Sequence, residues 1–126
     1  MSEIKIIIDG KECIGNQGDT ILQIAEKNGV YIPTLCNDER VAHYGACGVC
    51  LVEGEGLPKL MRSCSTVATD GWILYTDSER VTKARKIALE LLMSDHDGDC
   101  KGPCSLRCPA GTDCMAYVKA ISRGDY

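Results

Sequence analysis

Cys36, Cys47, Cys50 and Cys64 form a C-x10-C-x2-C-x13-C array whose middle reads Tyr44-Gly45-Ala46-Cys47-Gly48-Val49-Cys50. Bridged iron needs soft thiolates, and a short loop delivers several of them only if its backbone bends sharply around inorganic sulfide. Gly45 and Gly48 give that freedom and let backbone N–H groups turn toward the negative charge. The combination points to a [2Fe-2S] cluster, and so to electron transfer rather than substrate chemistry. A second metal signal follows in His96, Cys100, Cys104, Cys108 and Cys114. Of the nine cysteines only Cys13 belongs to neither set. It is expected to be buried as a small hydrophobe.

Other uses of the first four thiols are less consistent with their spacing. Tetrahedral zinc is usually held by two tight Cys-x2-4-Cys pairs, and this array has one. A redox dithiol at Cys47 and Cys50 should open a helix after a strand, which Gly48 and Val49 in a glycine-bearing loop do not suit. The chain has no Gly-x-Gly-x-x-Gly nucleotide loop, no phosphate loop ending in Lys-Ser/Thr and no recognisable Ser, His and carboxylate arrangement. Catalysis by the chain alone is therefore not expected. The competing class is a zinc-stabilised protein-interaction module without redox activity.

The elements that must position these residues can be read from the flanking text. Residues 3–8 and 11–15 alternate around Asp9-Gly10 and predict a hairpin with a two-residue turn. Thr20-Ile21-Leu22-Gln23 has capping-box form ahead of an apolar stripe, and Asn28-Gly29 ends the helix. Residues 37–48 have no period, as expected of a loop wrapped around something. Strands are predicted at 49–53, 59–62 and 72–76. Ser78 then caps a longer helix with Val81, Ala84, Ala88, Leu91 and Leu92 at helical spacing, with Glu79–Lys83 and Lys86–Glu90 as exposed pairs. The Asp, Gly, Pro and Cys content of 94–111 precludes ordinary core packing. A last helix is predicted over 112–122, with Met115, Val118 and Ile121 on one face and Gly124 beyond it. The pattern makes an α+β protein, a mixed sheet crossed by one helix.

At 126 residues the chain holds one modest core and a small appendage. The reading divides it into 1–78 and 79–126. Its formal charge of −4 counts thiols as neutral; metal-bound thiolates and sulfide make it more negative, which argues against a nucleic-acid partner. The absence of an export signal or long apolar run, together with the Cys-x-x-Cys pattern, leads to the expectation of a cytoplasmic protein without membrane insertion.

Four stretches carry a specific resemblance: Gly18-Asp19-Thr20-Ile21-Leu22, Ile32-Pro33-Thr34-Leu35-Cys36, Gly45-Ala46-Cys47-Gly48-Val49-Cys50-Leu51-Val52-Glu53 and Arg62-Ser63-Cys64-Ser65-Thr66. Through them residues 1–93 resemble the N-terminal [2Fe-2S] domain of the large iron-sulfur subunit of respiratory complex I, shared with iron-only hydrogenases and NAD-linked formate dehydrogenases. The resemblance implies a beta-grasp ferredoxin-like fold with Cys36, Cys47, Cys50 and Cys64 as ligands. It implies single-electron transfer between flavin- or iron-sulfur-containing partners in an NAD(P)H-linked oxidoreductase.

In those families a His-x3-Cys-x2-Cys-x5-Cys site for a [4Fe-4S] cluster follows. Asp95-His96-Asp97-Gly98-Asp99-Cys100 preserves its start, but position 103 is Pro103 and the next thiol is Cys104. The run from Cys100 to Pro109 instead resembles the cysteine motif opening the [4Fe-4S] domain of glutamate synthase small-subunit-like flavoproteins, with Asp113-Cys114-Met115-Ala116-Tyr117 matching its later helix start. The tail is thus expected to be a cysteine-rich cluster-binding segment, the beginning of a larger flavoprotein domain. Its [4Fe-4S] cluster is expected on Cys100, Cys104, Cys108 and His96, with Cys114 the rival fourth ligand. Tyr44, Trp72 and Tyr117 are candidates for an exposed docking patch.

Overall fold

The computed structural model describes residues 3–96 and 100–125. The chain divides into two compact units, Met1–Asp95 and His96–Tyr126. The first opens with β1 (Glu3–Ile8) and β2 (Lys11–Asn16), paired antiparallel with Ile6 opposite Cys13. Asp9 and Gly10 both have positive φ, 49° and 80°, as a two-residue turn matching the strand twist requires. Alternation sends Ile4, Ile6 and Ile8 into the core with Cys13, while Lys5 faces out and meets Glu12 at 3.3 Å. Cys13 is fully buried, as expected.

Helix α1 (Ile21–Lys27) starts where the sequence places it. The Thr20 hydroxyl accepts the Gln23 N–H and the Gln23 side chain accepts the Thr20 N–H, a reciprocal cap worth about 1 kcal/mol. Its buried face, Ile21, Leu22, Ile24 and Ala25, is the grip of the sheet. Strands β3 (Leu51–Gly54), β4 (Met61–Arg62) and β5 (Ile73–Tyr75) complete the order β2-β1-β5-β3-β4. Among the described residues only β1 and β5 run parallel, so the sheet is mixed and the fold is the expected beta-grasp.

The long helix α2 (Glu79–Ser94) packs with this unit. The Ser78 hydroxyl accepts the Val81 N–H and donates to Glu53 at 2.6 Å; Arg80 reaches the same carboxylate at 3.2 Å and the Pro58 carbonyl at 2.6 Å. Val81 is buried, Ala84 and Ala88 are half-buried, and Leu91 and Leu92 lie exposed. Lys86 and Glu90 approach to 3.8 Å, whereas among the described residues Glu79 and Lys83 form no ion pair; the neighbouring Arg80 pairs with Glu53 on β3.

In the second unit a one-turn helix α3 (Pro103–Leu106) stands where no regular element is predicted; Pro103 at its first position fits the helical φ without wasting a donor. Helix α4 (Cys114–Arg123) is capped by the Asp113 carboxylate at its start and by Gly124, φ 76°, at its end. Val118 and Ile121 are exposed, and α4 buries no residue. Asp97, Gly98 and Asp99, part of the motif opening the second site, lie outside the described residues. Among the described residues no helix is long and apolar enough to cross a membrane.

Candidate metal centre

The four thiols of the first array arrive from three places. Cys36 ends the segment after Ile32, Cys47 and Cys50 flank the sharp turn just before β3, and Cys64 follows β4. They come together as two neighbour pairs, Cys36 with Cys47 and Cys50 with Cys64. Gly45 and Gly48 both have φ 69°. These left-handed residues turn the backbone so that the N–H of Cys47, with those of Ala46 and Gly45 behind it, faces the Cys36 sulfur. The Cys36 thiol is thereby held down to about 7, against burial, which works the other way. Successive N–H groups converging on one sulfur form a concave anion site. The Val49 N–H lies 3.5 Å from Cys47 Sγ and extends it.

The second pair is deeper. Cys50 is 2% and Cys64 8% exposed, and burial, then the neighbouring Cys50 thiol, pushes Cys64 up to about 11. Two adjacent buried thiolates are unfavourable unless a cation is present to neutralise them, which is what bound iron does. Among the described residues no three His, Cys, Asp or Glu side chains are grouped for a single ion. Two pairs beneath an N–H-lined loop suit a binuclear, sulfide-bridged group, so the residues present fit a [2Fe-2S] cluster in number, softness and polarity.

The loop rests on α2. A Cβ on Gly48 would lie 3.2 Å from the Ala88 Cβ. Beside it a shallow groove of about 300 Å³ is lined by Cys47, Gly48, Ala88, Leu91 and Leu92. Tyr44 stands 84% exposed on the same loop, while Trp72 packs against the core. Sequence reasoning missed Arg85, whose guanidinium bonds the loop carbonyl of Val49 at 2.7 Å; an arginine on a helix face carries no signal of such a contact.

In the second unit Cys104, Cys108 and Cys114 are near enough to influence one another and Tyr117 electrostatically, without closing into a group for a single ion. The Cys114 thiol is pushed up by burial and then by Cys104 and Cys108. Tyr117 is raised by Cys114 first, then by burial and the other two thiols. The Cys108 thiol is lowered by the Thr112 side chain and by the N–H groups of Thr112, Ala110 and Gly111, a second small nest. Cys100 lines a neighbouring groove of about 560 Å³ with Lys101, Ser105 and Thr112, and the buried Ser105 hydroxyl has no hydrogen-bond partner. His96 is exposed and takes no part in these contacts.

A beta-grasp sheet holding paired thiols beneath a glycine-shaped loop defines an iron-sulfur domain. Residues 1–79 match the family described as 2Fe-2S iron-sulfur cluster binding domain, and the chain belongs to that family. It is 38% identical over 112 residues to the mitochondrial NADH-ubiquinone oxidoreductase 78 kDa subunit of Candida albicans, covering 85% of this chain and 16% of that protein. It is 43% identical over 117 residues to the NADP-reducing hydrogenase subunit HndD of Solidesulfovibrio fructosivorans, covering 85% of this chain and 20% of that one. The crystal structure of an NAD+-reducing [NiFe]-hydrogenase in the H2-reduced state is similar over 98% of this chain and 50% of its own, with a TM-score of 0.67 and 28% identity. The chain thus spans a fifth or less of these curated relatives' length.

Proposed function

We propose that the chain is an electron-transfer domain or subunit of an NAD(P)H-linked oxidoreductase, relaying single electrons between flavin- or iron-sulfur-containing partners, with Cys36, Cys47, Cys50 and Cys64 as ligands. The observation that carries the reading is the pairing of these thiols under the N–H groups of residues 45–47. A bound [2Fe-2S] cluster supplies reversible one-electron chemistry. The chain's own residues do the rest. Gly45 and Gly48 shape the loop, its N–H groups stabilise the negative charge, and burial of Cys50 and Cys64 shields that side from water. Cys36 and Cys47 lie nearer the surface, and Cys47 lines the groove at Leu91 and Leu92, which supports partner approach from that side. The names of the relatives support an NAD(P)H-linked assembly, and nine unpaired thiols support a reducing, cytoplasmic setting.

The reading includes a [4Fe-4S] centre in the second unit, on Cys100, Cys104 and Cys108 with His96 as fourth ligand. No residue of α3 or α4 is fully buried, so side-chain packing gives this segment little to hold it, which is what a bound cluster would supply. The clustering of Cys114 with Cys104 and Cys108 favours the alternative in which Cys114 replaces His96. The test is anaerobic purification followed by iron, sulfide and zinc analysis and electron paramagnetic resonance of the reduced protein. About two irons and two sulfides at the first site, with a one-electron reduced signal, are expected. A colourless protein with stoichiometric zinc would reverse the conclusion.

A further inference from the structure

We propose that Arg85 is a positioning residue for the cluster loop: from α2 its guanidinium takes the place of a missing sheet neighbour and fixes the backbone on both sides of Cys50. The proposal rests on the [2Fe-2S] reading of Cys36, Cys47, Cys50 and Cys64. Arg85 Nε donates to the Val49 carbonyl at 2.7 Å, and its Nη2 donates to the Leu51 carbonyl at 3.0 Å and the Thr76 carbonyl at 3.1 Å. In an extended chain alternate carbonyls point to opposite edges. Those of Val49 and Leu51 are held by Arg85, and the one between them, on Cys50, accepts the Ser63 N–H at 3.1 Å. Cys50 is thus clamped from one edge by α2 and from the other by the residue preceding Cys64.

Strand pairing explains why a side chain is needed. β5 meets β3 only at Glu53 and Gly54, so the edge from Val49 to Leu51 has no strand beside it. Half-buried carbonyls without a donor are costly, and the planar guanidinium supplies several donors at fixed angles. Its bond to Thr76 ties the same edge to the chain leaving β5. Among the described residues Arg85 forms no ion pair, so no carboxylate draws the fork away from the carbonyls. Because a trans peptide fixes its C=O and N–H antiparallel, holding the Val49 oxygen also fixes the direction of the Cys50 N–H. Arg85 therefore governs where one ligand's backbone and its donor sit, and it brings a positive charge to the side of the loop facing α2.

The test compares Arg85→Met, Arg85→Lys and Arg80→Met with the unaltered protein, each loaded anaerobically. The readouts are the paramagnetic resonance line positions, the midpoint potential, and amide exchange of residues 48–51. Arg80 is the control, since it is a cation on the same helix that bonds Glu53 and Pro58 but not the loop. Arg85→Met is expected to shift the line positions, lower the midpoint and speed exchange at 48–51, while Arg80→Met leaves all three unchanged. Arg85→Lys should keep the shifted line positions with a midpoint nearer the original, because it restores charge but not the fork. A wild-type spectrum and midpoint in Arg85→Met, or equal changes in Arg80→Met, would overturn the proposal. Should Arg85→Met not fold, a wild-type spectrum in Arg85→Lys overturns it and a shifted one supports it. An unaltered protein that takes up no iron and sulfide overturns the cluster reading itself, an outcome distinct from either.

Discussion

Gly45 and Gly48 have the same φ, 69°, but different surroundings, which makes them an internal experiment. Alanine at either position must adopt the left-handed conformation, at roughly 1 to 2 kcal/mol. At Gly45 nothing further is added, because the nearest atom to the new Cβ is His43 Cε1 at 3.8 Å, an ordinary contact. At Gly48 the new methyl meets Ala88 Cβ at 3.2 Å, and Ala88 belongs to a helix that Arg85 ties to the adjacent loop residue. The loop and α2 must separate by a few tenths of an ångström against that tie. One overpacked methyl sits at the low end of core overpacking penalties, about 1 kcal/mol.

The expectation is that Gly48→Ala destabilises the loaded loop by about 1 kcal/mol more than Gly45→Ala. Since opening the loop releases both strain and metal, the difference reads as about five-fold faster cluster loss. The assay is decay of visible absorbance under a chelator, followed in both variants, in Ala88→Gly, and in Gly48→Ala combined with Ala88→Gly, against the unaltered protein. Because the repulsion exists only when both methyls are present, the cycle should show a coupling of about 1 kcal/mol. Equal loss rates for the two single variants, or no coupling, would refute the claim that α2 presses directly on the loop.

Three further outcomes are expected. Cys50→Ser should lose the [2Fe-2S] absorbance and iron, while Cys13→Ser keeps both and lowers only the stability of the fold, by about 1 to 3 kcal/mol for a hydroxyl in that core; iron analysis and urea unfolding check the pair. Removing the cluster should speed amide exchange across residues 37–48, leaving β1, β2 and α2 protected, because the loop buries little of its own surface; equal protection of 37–48 in both forms contradicts this. In the second unit, Cys114→Ala and His96→Ala, each reconstituted anaerobically, should differ in four-iron content, the greater loss marking the fourth ligand.

Legibility in the sequence followed the range of the interactions. The Asp9-Gly10 turn, the Thr20–Gln23 cap and the Ser78 cap depend on residues within a few positions of one another, and all three stand where the text places them. The glycine-shaped loop of the four-thiol array was readable for a related reason, since the positions of Gly45 and Gly48 are themselves sequence properties. Contacts that join distant segments left no local trace. The parallel pairing of β1 with β5, the Glu53 carboxylate shared by Ser78 and Arg80, and the Arg85 clamp each need the fold before they exist. Periodicity likewise marked Leu91 and Leu92 as part of an apolar stripe on α2 but not as exposed, because the surface beneath the helix is set by where the loop at Gly48 passes.

The two cysteine sets differ in what holds them in place. Cys50 and Cys64 sit at the ends of paired strands, with Leu51 opposite Arg62 and the Cys50 carbonyl bonded to Ser63, so the protein fixes their separation before any metal arrives. Among the described residues the second unit has no sheet, and no residue of α3 or α4 is fully buried. Under the proposed [4Fe-4S] reading, a cluster there would supply the organisation that strands supply in the first unit, and its ligand set would follow from donor softness and loop reach. Softness favours the thiolate of Cys114, already beside Cys104 and Cys108, over the imidazole of His96. The proline and one-turn helix between Cys100 and Cys108 change the spacing of the second motif, and that change is what brings Cys114 into contention.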